Sequence, residues 1–185
     1  MCREEAHRLF ARKKELDAMG VRLLCVVKEA IPEQIDQFVP KYWGEESDSD
    51  LYLDEELQFF KFLGGGEEQS KGLFALASSA VRSANSRAGA YLKSVGGDSN
   101  LTGEGWILGG LLVVRPGGEV EYQHAESTFG DMADLDEVMR AAQSASDIAN
   151  MAELNRAGKN SGINDDGGSS SSPSDEGSSG DENAY

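Results

Sequence analysis

The run from Trp106 to His124 constrains this chain more than any other: WILGGLLVV, then Arg115-Pro116-Gly117-Gly118, then EVEYQH. An apolar segment and an alternating one joined by a Pro-Gly-Gly turn predict a β-hairpin. Asp134 and Glu137 have capping-box spacing and open a helix carrying Leu135, Val138, Met139 and Ala142.

Upstream the apolar period alternates between that of a helix and that of a strand. Residues 3–19 place Ala6, Leu9, Phe10, Leu16 and Met19 on one helical stripe, and Gly20 supplies the stop. Val21–Val27 reads VRLLCVV, apolar on both faces, which suits a strand buried on both sides. Pro32 fits the first turn of a helix bearing Ile31, Ile35 and Phe38, which Pro40 is expected to end. A polar loop through Glu45 and Ser49 then leads to a short strand, Leu51–Leu53. Asp54 has the character of an N-cap for a helix with Leu57, Phe60 and Leu63, closed by Gly64. Residues 73–92 form the longest amphipathic pattern, with mostly small residues on the apolar face. Its opposite face is rich in Ser rather than Lys, which excludes a membrane-surface helix. The order α-β-α-β-α-α-β-β-α defines an α/β domain with a mixed sheet, and no internal repeat interrupts it.

Composition changes sharply at Gly158. Residues 158–185 hold eight Ser, six Gly and six acidic residues, with Ile163 and Tyr185 the only large apolar side chains. Such a segment cannot offset the entropy of ordering itself. The expected organisation is a domain over 1–157 and a disordered acidic tail over 158–185. Ser172 before Pro173, and Ser178 and Ser179 near Asp181 and Glu182, are conceivable phosphorylation positions, though serines there serve more simply as solvating spacers. The whole chain of 185 residues carries 17 basic against 33 acidic side chains, a net charge of −16, which opposes nucleic acid and anionic membrane as partners. Two cysteines are too few for a disulfide-built secreted fold or a zinc cluster. No run reaches the roughly 18 apolar residues of a membrane span, and the charged N-terminal segment has no signal-peptide core. The cytoplasm is the expected compartment.

Several chemistries are missing. Gly64-Gly65-Gly66 lacks the following Lys-Ser/Thr of a phosphate loop. Two histidines, His7 and His124, do not make a His-based metal site, so no metal is expected. Carboxylates such as Glu45, Glu46, Glu55 and Glu56 lie in surface-like positions, and the sequon Asn100-Leu101-Thr102 needs a secretory route. His7 is expected to be exposed, and His124 to be a satisfied or exposed histidine at a strand end. Cys2 differs from all of these. It directly precedes a predicted helix and is followed by Arg3; the helix N-terminus and the guanidinium both favour thiolate over thiol. An incidental cysteine on a frayed terminus is the plainer alternative. Cys25, within an apolar strand, reads as core. Gly109-Gly110 marks a bulge or close approach to the backbone, or else plain packing.

These residues, in this order, resemble the peroxiredoxin-like 2 family, a thioredoxin-fold branch of the alkyl hydroperoxide reductase/thiol-specific antioxidant group that includes the prostamide/prostaglandin F synthases. The resemblance runs over residues 2–146 through CREEAHRL (2–9), VVKE (26–29), LDEELQFF (53–60), GEGWILGGLLVVRPGGEVEYQH (103–124) and FGDMADLDEV (129–138). It implies a thioredoxin-like mixed sheet flanked by helices. The family motif is Cys-x-x-Cys-Arg after a central strand. Cys2-Arg3 matches its second half, while the first cysteine and the preceding strand have no counterpart here. The sequence is therefore expected to be N-terminally incomplete, lacking the first central strand, which in this fold lies between VRLLCVV and the hairpin. A targeting segment could be missing along with it.

The implied function is a thiol-dependent antioxidant or oxidoreductase, reducing peroxide or disulfide through Cys2, with Arg3 supporting the thiolate and Gly109-Gly110 as active-site backbone. No cofactor would be bound; an external thiol reductant would supply electrons, or NADPH for a synthase-like protein. The partners implied are a small peroxide or disulfide and a redox partner protein. Two alternatives stand beside this: a redox-inactive thioredoxin-fold interaction module, and a prostaglandin-endoperoxide reductase.

Overall fold

The structure, a computed structural model, describes residues 2–44, 50–64, 66–67, 69–70, 78–97 and 107–161. It divides into two compact units, Met1–Asn150 and Met151–Tyr185. The first is a thioredoxin-like α/β fold. Its elements are α1 (Cys2–Phe10), α2 (Lys13–Ala18), β1 (Cys25–Val27), α3 (Pro32–Phe38), a π-helical turn (Val39–Trp43), β2 (Leu51–Leu53), α4 (Gln58–Leu63), α5 (Ser79–Ser94), β3 (Gly110–Val114), β4 (Val120–Ala125) and α6 (Leu135–Ser161).

The hairpin forms as its sequence requires. β3 and β4 pair antiparallel from Gly110↔Ala125, with a register shift at Val113/Val114. The Arg115 N–H donates to the Glu119 carbonyl at 2.8 Å, and Gly117 and Gly118 adopt φ of 108° and 94°, which side chains resist. β1 and β2 pair parallel, Cys25↔Leu51 to Val27↔Leu53. Among the described residues the two strand pairs are separate sheets. Both a parallel and an antiparallel pair are present, as in a mixed sheet, and among the described residues no strand joins them.

α6 covers the hairpin. Val138 and Ala145 pack with Leu9 and Val113, and Met139 and Ala142 pack with Leu16. The Asp134 carboxylate accepts from the N–H groups of Asp136 (2.9 Å) and Glu137 (3.1 Å), capping the helix. Helix α6 continues through Gly158 to Ser161, so regular structure crosses the boundary read from composition. In the second unit, the described stretch 151–159 is exposed throughout.

Four expectations are corrected. The helix foreseen over 3–19 breaks at Ala11–Arg12, where the chain turns so that Leu9 and Leu16 reach different parts of α6. VRLLCVV supplies only Cys25–Val27 as strand, and that strand is half-buried, so Cys25 is not a core residue. Pro40 does not end its helix. Its missing N–H breaks the ordinary ladder, and the chain widens into a π turn closed by the Gly44 N–H on the Val39 carbonyl (2.7 Å). That turn buries Tyr42 and Trp43, 1% and 2% exposed, side by side. Gly109 lies just outside the strand, which begins at Gly110.

Asp54 does cap α4, at a distance. Its carboxylate accepts from the N–H groups of Gln58 (2.8 Å) and Phe59 (2.7 Å), with Leu57 held at φ 58° between them. Ser78 caps α5, accepting from the Val81 N–H at 3.2 Å, and Val81, Ala84, Ala88 and Leu92 are its buried face. The start of that pattern at residues 73–77, the loop through Glu45 and Ser49, the sequon, and the tail from 162 onward lie outside the described residues.

Candidate thiol site

Cys2 opens α1, and Glu4 and Glu5 follow in its first turn, where negative charge complements the helix dipole. One side of the helix is fastened to three elements. The Arg3 Nη2 donates to Gln34 Oε1 at 2.6 Å, and its guanidinium lies 5.4 Å from the centre of the Tyr42 ring. Glu4 is fully buried and paired with Arg8 at 2.9 Å, while Arg8 stacks over Tyr91 at 4.4 Å. His7 Nδ1 lies 2.9 Å from the Tyr91 hydroxyl and edge-on to Tyr42, so His7 is half-buried rather than exposed.

Glu5 belongs to another face, one helical turn on from Cys2 and in register with it. Its Oε1 accepts from the Ala133 N–H at 2.9 Å. With Leu9, Leu111, Met132 and Leu135 it lines a recess of about 20 Å³, room for roughly one water. Burial pushes the Glu5 carboxyl up, against the opposing pull of the Ala133 N–H.

The carboxyl at the end of the hairpin, Glu126, is buried, 9% exposed. Glu126 Oε2 accepts from the Gly109 N–H at 3.1 Å, and the Glu126 N–H returns a bond to the Gly109 carbonyl at 3.0 Å. Burial raises the Glu126 carboxyl to about 6, opposed by the Gly109 bond, and the charge of Glu5 adds to the rise. His124 acts on both carboxyls in the opposite sense. Its Nε2 is 3.0 Å from the Asp131 carbonyl oxygen, a satisfied histidine as expected. Asp131 itself is held below the usual carboxylate range by the hydroxyl and N–H of Ser127.

The structure therefore fastens Gly109 to the end of the hairpin through Glu126. Gly110 has a plainer role: a Cβ there would run into the carbonyl oxygen of His124 on the paired strand, so close strand approach requires glycine. Gly109 has only the Phe60 ring edge at 3.9 Å from such a Cβ. Cys25 stands in the parallel sheet, paired in register with Leu51. Sequence reasoning missed Glu4, Glu5 and Glu126. Each stands among polar neighbours, and nothing in the residue order distinguishes a buried carboxyl from an exposed one; Glu55 and Glu56 are exposed, as read. Among the described residues no group of three or more His, Cys, Asp or Glu is placed to hold a metal ion, and no helix is long and apolar enough to cross a membrane.

A thioredoxin-like fold with a cysteine at the head of its first helix is the architecture of thiol antioxidant proteins. Residues 8–128 match the sequence profile of the AhpC/TSA antioxidant enzymes. The chain belongs to that family, in its peroxiredoxin-like 2 branch. It is 36% identical to peroxiredoxin-like 2A of Danio rerio over 149 residues, covering 77% of this chain and 62% of that protein. The Bos taurus relative of the same name is 36% identical (77% and 60% covered), and that of Homo sapiens 35% (77% and 57%). The chain thus spans about 60% of the length of these relatives. No solved structure matches it significantly.

Proposed function

We propose that this chain performs thiol-dependent antioxidant chemistry with Cys2 as the reacting sulfur. The observation that carries the reading is the Cys2-Arg3 pair at the opening of α1 in a chain of the AhpC/TSA family. The helix N-terminus favours the thiolate. The thiolate attacks one peroxide oxygen; the S–O bond forms, the O–O bond breaks, and the leaving oxygen takes a proton to become an alcohol or water. Sulfur is oxidised to sulfenic acid and the peroxide is reduced. An external dithiol then condenses with the sulfenic acid, releasing water, and its second thiol frees Cys2 by exchange. That dithiol belongs to a redox partner protein, and no cofactor needs to be bound. The cytoplasm, where thiols stay reduced, suits this cycle, and the net charge of −16 argues against nucleic acid and anionic membrane as partners.

A second reading, an interaction module without redox turnover, draws on the engagement of Arg3 by Gln34 and Tyr42. One experiment separates the two. The full chain is treated with an alkyl hydroperoxide and, in parallel, a prostaglandin endoperoxide with NADPH, and sulfenic acid is trapped with dimedone for peptide-resolved mass spectrometry. The expected result is an adduct on Cys2 after hydroperoxide that is absent in Cys2→Ser. An unmodified Cys2 favours the module; turnover of the endoperoxide alone favours the synthase-like reading.

A further inference from the structure

Helix α5 carries three positive side chains and no negative one, in a chain whose net charge is −16. It lies within residues 69–97, which hold Lys71, Arg82, Arg87 and Lys93 and no Asp or Glu, the longest acid-free run in the sequence. The helix turns Val81, Ala84, Ala88 and Leu92 inward and leaves Arg82, Arg87 and Lys93 exposed. Arg82 and Lys93 are three helical turns apart and share one row, so about 16 Å of helix separates them. Ser86 and Gly89 lie between them on that row. Among the described residues neither Arg82 nor Lys93 is ion-paired. Arg87 stands on the flank, where its Nη2 donates to the carbonyl of Gly130, the residue before Asp131, at 3.3 Å. Tyr91, one turn on from Arg87, lies under the Arg8 guanidinium at 4.4 Å, and Glu4 balances that charge.

Carboxylates in the first turn stabilise the positive end of a helix dipole. Helices α1, α2, α3 and α6 each carry one there, whereas α5 carries none and places Arg82 directly after that turn. A local preference given up on an exposed face marks a surface kept for contact rather than for stability.

We propose that this face of α5 docks an acidic polypeptide segment of a protein partner, with Arg82 and Lys93 as its two anchors. An extended segment rises about 3.3 Å per residue, so carboxylates about five residues apart meet both. Charge complementarity selects a short segment over a polyanion. The screening length is about 8 Å at physiological ionic strength, so a few carboxylates feel the basic row alone. A nucleic acid would run on over the rest of a chain with net charge −16 and be repelled. Docking here does not require Cys2 to react.

The test is fluorescence anisotropy of a labelled peptide carrying an Asp-Glu pair at each end and four Gly and Ser residues between, titrated with the full chain. Arg82→Glu/Lys93→Glu should weaken binding by about tenfold, as two modest exposed ion pairs turn repulsive. Lys14→Glu/Arg140→Glu, the same change in net charge at exposed positions off α5, should weaken it less than about twofold. Arg82→Gln/Lys93→Gln should give an intermediate loss, and it decides the matter if the charge-reversed chain fails to fold. The peptide with Asn-Gln pairs should not bind. No binding of the acidic peptide, or equal losses in the two charge-reversed chains, overturns the proposal. Tighter binding of a single-stranded DNA through Arg82 and Lys93 overturns it in favour of a polyanion site. Self-association of the chain that is lost in Arg82→Glu/Lys93→Glu overturns it in favour of a second copy. Arg82→Glu alone should leave the melting midpoint unchanged or raised; a fall of several degrees would make Arg82 a structural residue and remove it as an anchor.

Discussion

Glu126 sits in an environment that its residue type does not suggest. Its carboxyl is raised from 4.5 to about 6, chiefly by burial. An acid raised in the fold binds its proton more tightly folded than unfolded, so its stabilising contribution is full below about pH 4.5 and lost as pH rises through 6. A gap of that size corresponds to about 2 kcal/mol. Glu126→Gln keeps an acceptor for the Gly109 N–H and removes the titration. It is therefore expected to match the native chain at pH 4.5 and to exceed it by about 1–2 kcal/mol at pH 7.5. Urea unfolding at the two pH values checks this; a gap of the same size at both would assign the effect to packing. Reading the sequence singled out Cys2, Arg3 and the glycine pair as candidates but not these acids. Residue type fixes a reference ionisation, and only the surrounding fold moves it.

At the scale of elements, caps and turns were the most legible features, because they act through bonds spanning only a few residues. Asp54 and Asp134 each bond the helix that follows them, as read; the Ser78 cap of α5 was not foreseen. Asp54 does so across Leu57, a non-glycine residue in the left-handed region, where strain costs about 1–2 kcal/mol. Its two N–H bonds help hold that conformation. Asp54→Ala should cost about 1 kcal/mol or somewhat more, read as a drop in the urea midpoint, whereas Asp54→Asn should cost less than half as much. Equal losses for both would mean that charge rather than hydrogen bonding does the capping. The π turn was not legible. Pro40 reads as a stop because it deletes one bond of the ladder. The neighbouring aromatics Tyr42 and Trp43 instead bury against α1, His7 beside Tyr42 and Phe10 beside Trp43, and this packing accompanies continuation with a wider turn.

Across the whole molecule, the two strand pairs differ in support. The hairpin is covered by α6 and shares a core with α1, whereas β1 and β2 are three residues each and only partly buried. Short pairs with little apolar cover open at low free energy. Amide hydrogen exchange should therefore release Cys25–Val27 and Leu51–Leu53 well before β3, β4 and the 135–146 part of α6. Uniform protection would show that the two pairs open as one unit. From sequence alone came the α/β class, the hairpin and its turn, the helix caps, the acidic surface and the candidate thiol, because each depends on local chemistry or on the period of apolar residues. Only the tertiary structure decided that the described strands form two separate pairs, that Cys25 is half-buried, that Gly110 is demanded by His124, and that Glu5 bonds the Ala133 N–H. Those facts depend on residues from 14 to 128 positions apart coming together, and neither the period nor the propensity of a segment carries that information.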